Sequence, residues 1–317
     1  MSKSIVVVGS INLDLTVFAS RNPSAGETIL GTGFNVFTGG KGANQAVAAA
    51  RLDHPVQMVG KLGNDAFADQ LLQDLKTAGV DTRAITKTSG PSGVALIITT
   101  DSGENRIIVT PGANNDLSPD DIERNCALIQ NADIVLTQLE IPLETIEALA
   151  KLTSRHNVRL VLDPAPAREL PVELLRKTVW ITPNEGEALF FTRSASPPVS
   201  EVEMREVSEY FLGLGPRNVL LKLGERGAYM ATHDGTRTFI PAFPVRAIDT
   251  TAAGDAFNGA FAVALVRGSL PADAARFASA VAAISVTRHG ALPSMPTQSE
   301  VNFFLEEQPK IKQEIER

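Results

Sequence analysis

Cysteine is nearly absent from this chain: Cys126 is the only one in 317 residues. No internal disulfide can staple the fold, and a reduced thiol packed on a helix is the expectation for Cys126. Apolar runs long enough to span a bilayer are also missing. Met1-Ser2-Lys3-Ser4 passes straight into a β-branched run, without the charged and apolar regions of a signal peptide. A soluble, cytoplasmic protein with no membrane partner is expected. Basic excess is lacking too. Lys and Arg number 29 against 36 Asp and Glu, a net charge of -7, so the electrostatic footprint of a nucleic-acid binder is absent. The four histidines, His54, His156, His233 and His289, show no metal-ligand spacing. There is no internal repeat and no low-complexity tract.

What is present is apolar sequence, 44% of the chain, enough for a large core in one domain or two unequal ones. Ile5-Val6-Val7-Val8 reads as a buried strand of a parallel sheet. Residues 11–18 alternate apolar and polar, as a half-buried strand does. A second such segment falls within 28–38, and residues 93–110 read as a hairpin turning at Asp101-Ser102-Gly103. From Leu117 onward helix and strand alternate: helices over 119–131, 142–156 and 201–212, strands over 134–139, 159–162, 179–182 and 218–223. That rhythm predicts an α/β fold, a mostly parallel sheet with helices on both faces, with the early strands and the hairpin forming a small separate β-sheet. No domain linker interrupts it. Two helices, 253–267 and 271–287, close the core. A last helix over 298–307 precedes a charged tail from Lys310, expected to fray.

Ligands bind such sheets beyond the carboxyl ends of the strands. Glu140, Asp163, Asn184 and Glu187 all fall there and suggest a polar crevice. Two stretches point to chemistry. The first, Gly39-Gly40-Lys41-Gly42-Ala43-Asn44, opens a helix expected over 45–52; its glycines allow a ligand to approach the backbone. It is neither a Walker A loop nor a dinucleotide fingerprint, and by itself it is equally a plain glycine turn. The second runs Asp249-Thr250-Thr251-Ala252-Ala253-Gly254-Asp255-Ala256-Phe257-Asn258-Gly259-Ala260. Small residues at a helix start leave the first amides free to hold an anion such as a phosphate. Asp255, in that first turn, makes sense as a base taking a proton from a hydroxyl that attacks the phosphate. A buried helix with an acidic first turn is the plainer alternative.

Together the two stretches resemble the two signatures of the ribokinase family of carbohydrate kinases, in the same order, and the resemblance extends over essentially the whole chain. It implies a ribokinase-like fold with a β lid, often a dimer contact, and transfer of the ATP γ-phosphoryl group to a primary hydroxyl. Asp255 would be the catalytic base, with Ala252, Ala253 and Gly254 forming the anion hole. Many members carry Gly at the Ala252 position; a methyl is compatible there if φ stays negative. Asn12, Asp14, Gly40, Lys41, Gly42, Asn44 and Glu140 would hold the sugar. Asn184 and Glu187 would act near Mg²⁺ and the phosphates. Lys222, where the family often has Thr, would border ATP with Gly224, Gly227, Gly254 and Ser279. Asp249 and Thr251, with Ser285, Arg288, Gly290 and Ser294, would cage K⁺. The expected acceptor is the 5-hydroxyl of ribose. The alternatives are another small substrate of the same family (deoxyribose, a ketose, a sugar acid or a nucleoside) and a non-catalytic sugar-binding regulator.

Overall fold

The computed structural model describes residues 4–102 and 105–315. In chain order the strands are β1 (Ile5–Val8), β2 (Asn12–Ala19), β3 (Gly33–Gly39), β4 (Val56–Leu62), β5 (Ile85–Lys87), β6 (Gly93–Thr100), β7 (Asn105–Thr110), β8 (Ile134–Thr137), β9 (Arg159–Leu162), β10 (Trp180–Ile181), β11 (Asn218–Lys222), β12 (Gly227–Thr232) and β13 (Arg237–Pro241). The helices are α1 (Lys41–Arg51), α2 (Ala68–Thr77), α3 (Pro119–Arg124), α4 (Cys126–Gln130), α5 (Leu143–Arg155), α6 (Val172–Leu175), α7 (Glu185–Thr192), α8 (Glu201–Leu214), α9 (Ala253–Arg267), α10 (Pro271–Ser285) and α11 (Gln298–Ile315).

The β-branched run of β1 is buried along its whole length. It sits inside a nine-stranded sheet ordered β13-β12-β11-β10-β9-β8-β1-β4-β5. Pairings from β5 to β11 are parallel, and β12 and β13 add an antiparallel edge. Successive side chains of a strand point to opposite faces. Ile5 and Val7 accordingly join the core formed with α1, α2, α9 and α10, while Val6 and Val8 join the one formed with α5 and α8. No helix among the described residues is long and apolar enough to cross a membrane.

A second sheet of four strands, β3-β2-β6-β7, stands apart from the first. Its register pairs Leu15 with Val36 and Leu96, and Asp14 with Phe37 and Ala95. Directly opposed residues share a face, so Asn12, Asp14 and Thr16 line the buried face and Leu15 and Val17 the other. Both motifs reach the same place because α1 and α9 cross closely. A Cβ at Gly259 would lie 2.7 Å from Ala48 Cβ and from the Gln45 carbonyl oxygen.

Several boundaries differ from the sequence expectation. Helix α1 starts at Lys41 instead of Gln45, because Gly40 adopts φ 87 and caps it, so Lys41 to Asn44 form its first turn. The single helix expected over 119–131 is two, α3 and α4, broken at Asn125 (φ -99, ψ 16). Strand β3 lies in the second half of the 28–38 segment and runs one residue past it, to Gly39. Helix α11 continues to Ile315 where a frayed tail was expected. Strand β5 and helices α6 and α7 were not anticipated; the first two are too short to show periodicity. The hairpin residue Gly103 lies outside the described residues.

Candidate active site

Helix α9 is buried for most of its length, yet no side chain caps its N-terminus. Among the described residues, no acceptor takes the amides of Gly254 and Asp255. A half-buried helix start with these two amides unpartnered suits an anion. Ala252 turns the chain into this helix with φ 58 and ψ 12, in the left-handed region. The expected negative φ is therefore incorrect at this position. The strain of holding a methyl there is roughly 1–2 kcal/mol, borne at the point where the backbone is aimed into the site.

Asp255 is buried and gripped by two amides. Asn44 Nδ2 donates to its Oδ2 and Gln45 Nε2 to its Oδ1, each at 3.0 Å. Burial raises its pKa; Lys41 opposes that shift, Asp163 adds to it, and the two amides oppose it. The net direction is upward, toward the range of a general base.

On the lid side, Asp14 and Asn12 are both buried, as their two-residue spacing requires. Asp14 lies against Gly39, where a Cβ would be 2.1 Å from Oδ2. Its pKa is pushed up to about 7, first by burial, then by the charges of Glu140 and Asp255. Asn12 Oδ1 accepts from Asn114 Nδ2 at 2.7 Å, and Asn114 Oδ1 accepts from the Ile11 amide at 2.8 Å. Glu140 accepts from Ser10 Oγ at 2.5 Å and from the Lys41 amide at 3.0 Å. Gly40 and Gly42 allow these close approaches: a Cβ on Gly42 would lie 2.6 Å from the Ser10 amide nitrogen.

Two adjoining cavities open on the other side of Asp255. One, of about 540 Å³, is polar and lined by Lys41, Asp163, Asn184, Glu187, Lys222 and Asp255. The other, of about 760 Å³, is lined largely by apolar groups, including Phe243, Val245, Phe257 and Ala282, with Ser279 and Gly227. Lys222, Gly224, Ala253 and Gly254 border both. The pair joins a polar space to a largely apolar one. Lys41 faces the polar cavity. Burial alone would lower its pKa, but Asp255, Asp163, Glu140 and Glu187 outweigh that and keep it charged. Lys222 Nζ binds Asp163 Oδ1 at 2.9 Å. Asn184 and Glu187 cap α7 reciprocally: Glu187 accepts from the Asn184 amide at 2.7 Å, and Asn184 Oδ1 accepts from the Glu187 amide at 2.9 Å. Gly227 is required by the sheet, since a Cβ there would lie 2.1 Å from the Ile240 carbonyl oxygen.

The candidate cation residues come together only in part. Asp249 accepts from the amides of Thr251 and Gly290, both at 2.9 Å, which ties the two loops. Burial would raise its pKa, but hydrogen bonds from Thr251 and Gly290 hold it below the usual value. Ser285 and Ser294 hydroxyls donate to carbonyls of their own turns, Ala282 and Ala291. The Arg288 guanidinium pairs with Glu300 at 2.6 Å. Among the described residues no cluster of three His, Cys, Asp or Glu side chains forms a divalent-metal site.

The sequence reading missed Ser10, Gln45, Asn114 and Gln138 as parts of the site. Gln45 was within reach, since it follows Asn44 directly in the glycine motif.

The sequence matches the pfkB family carbohydrate kinase profile over residues 2–298. It is 41% identical over 306 residues to the ribokinase of Bacillus subtilis, covering 96% of this chain and 99% of that protein. It is 37% identical over 303 residues to the deoxyribokinase of Salmonella typhi, covering 95% and 98%. The structure of Arabidopsis thaliana ribokinase complexed with ribose and ATP matches with a TM-score of 0.90 at 34% identity, over 96% of this chain and 99% of that one.

Proposed function

The chain belongs to the pfkB family of carbohydrate kinases, and from that premise we propose that it transfers the γ-phosphoryl group of ATP to the 5-hydroxyl of D-ribose, giving ribose 5-phosphate. The fold is ribokinase-like. The observation that carries the reaction is the buried Asp255 carboxylate at the junction of a polar lid pocket and a helix start with free amides. Asp14, Asn12, Asn44 and Glu140 are placed to take the ring hydroxyls. Asp255 accepts the proton of the attacking hydroxyl. The amides of Gly254 and Asp255 stabilise charge on the transferred group, and Lys41 and Lys222 face the phosphates. Such catalysis is positioning and charge neutralisation, with little covalent work for the protein.

Asn184 and Glu187 suit a hydrated Mg²⁺, since their oxygens already serve α7 and a water-mediated contact asks least of them. Bound there, Mg²⁺ would neutralise phosphate charge. Asp249, ionised and with lone pairs to spare, fits a K⁺ cage completed by backbone oxygens around Ser285, Arg288, Gly290 and Ser294; K⁺ would fix the loop that forms the anion hole. The outer lid face supports a homodimer with a second copy of the chain. The deoxyribokinase relative favours 2-deoxyribose as the competing acceptor. The deciding experiment is ATP turnover with a sugar panel, in K⁺ and in Na⁺ buffer. The expected kcat/KM is ~10–100-fold higher for ribose than for 2-deoxyribose, the discrimination of a partly open site with one hydroxyl unpaired. Equal use of the two sugars would move the assignment to the competing acceptor.

A further inference from the structure

We propose that Gln45 is a positioning residue for this reaction, fixing the Asp255 carboxylate toward the attacking hydroxyl, and that Gln138 holds Gln45 in the one amide orientation that permits it. The inference rests on the reading of Asp255 as the base.

Gln45 Nε2 lies 3.0 Å from Asp255 Oδ1 and 3.0 Å from Asp163 Oδ2. Carboxylate oxygens only accept, so the amino end of the amide must face them, one hydrogen to each. Turned over, Gln45 would set its carbonyl oxygen against two carboxylates. The carbonyl oxygen instead points away and accepts from Gln138 Nε2 at 2.7 Å. Gln138 is itself buried and fits against Gly9, where a Cβ would be 2.1 Å from Oε1. The second carboxylate held by Gln45 is fixed by Lys222. The base is thus set by a chain running Gln138 to Gln45 to Asp255, with Asp163 and Lys222 as its side anchor and Asn44 on the remaining Asp255 oxygen.

Both glutamines are fully buried. Each lies in a largely apolar stretch, where an amide without a role is a liability. The charges around Asp255 come from several elements: Lys41 on α1, Asp163 after β9, Asp14 on β2, and Glu187 on α7 and Lys222 on β11 across the polar cavity, while Glu140 after β8 acts on Asp14 and Lys41. Gln45 touches two of the acids at once and is the neutral link that keeps them apart.

The test is the pH dependence of kcat for Gln45→Met, Gln138→Met and the double variant, beside Asp255→Asn. Removing a donor from an ionised carboxylate raises its pKa, so the acid limb of the Gln45→Met profile moves up by ~1 pH unit. The rate near pH 7 falls ~10–100-fold and recovers toward wild type at higher pH, while KM for ATP stays put. A packing defect would not recover with pH. Gln138→Met moves the limb the same way, and the double variant is no worse than Gln45→Met, because both act through one amide. An unmoved acid limb, or losses that add, overturns the inference. If Gln45→Met does not fold, the Gln138→Met profile decides alone. An Asp255→Asn variant that keeps its rate would sink the base reading itself. An inactive Asp255→Asn with a wild-type Gln45→Met profile would sink only this inference.

Discussion

At Asp14, the proposed function and the stability of the fold pull in opposite directions. Its pKa sits at about 7 because burial, Glu140 and Asp255 all disfavour its charge. A folded-state pKa above the ordinary carboxylate value means that the fold prefers the protonated form. Its stabilising effect is complete below the unfolded pKa and is lost as pH rises through about 7. The proposed sugar contact asks for the opposite form, an ionised acceptor for hydroxyls. Asp14→Asn should therefore stabilise the sugar-free protein more at pH 8 than at pH 5, with a ceiling of roughly 4 kcal/mol from ~1.36 kcal/mol per pKa unit. It should also raise KM for ribose. Thermal melts at the two pH values and a ribose titration check both halves. A stability difference that does not grow with pH would show that Asp14 is not the strained group.

At the scale of elements, the site depends on how closely α1 and α9 pass. Gly259 is the contact point, so Gly259→Val drives a side chain into Ala48 and the Gln45 carbonyl. Overpacking of this kind costs about 1–3 kcal/mol. Here it also withdraws Asp255 from Asn44 and Gln45, so kcat should fall further than the melting temperature suggests. A destabilised variant with wild-type kcat would show that the α1–α9 spacing does not set the base. This crossing also marks what the sequence could reveal. The two motifs were legible because each is contiguous and starts a helix. Asn12 and Asp14 were legible because period-two spacing puts them on one face. Gln138 was not, because a lone amide in an apolar run has no pattern and its partner, Gln45, is 93 residues away; Gln45 adjoins the glycine motif, but the carboxylates that give it a role are over a hundred residues away. Helix α7 hid because its cap, Asn184 with Glu187, also reads as a polar strand end. Ala252 misled because φ is not written in a sequence: a Gly-to-Ala departure from the family pattern reads as harmless until the backbone proves left-handed.

For the whole molecule, the two sheets divide the work. The large one carries the crevice, and the small one brings the buried Asn12 and Asp14 to the proposed acceptor site. The outer face of the small sheet leaves Phe34, Val36, Val17, Leu96 and Ile108 exposed, and the register aligns them on one side. Such a patch fits the proposed contact with a second copy of the chain. Ile108→Glu should turn a dimer into a monomer by light scattering; an unchanged mass would place the contact elsewhere or leave the chain monomeric. All of this serves one claim, that Asp255 is the base of an ATP-dependent ribose kinase. The measurement that tests it most directly is kcat with ribose for wild type and Asp255→Asn at saturating ATP, with the fold checked by circular dichroism. The account predicts a folded variant slowed by ~10²–10⁴-fold. A folded variant keeping more than about a tenth of the wild-type rate, far short of the loss expected on removing a general base, would contradict it.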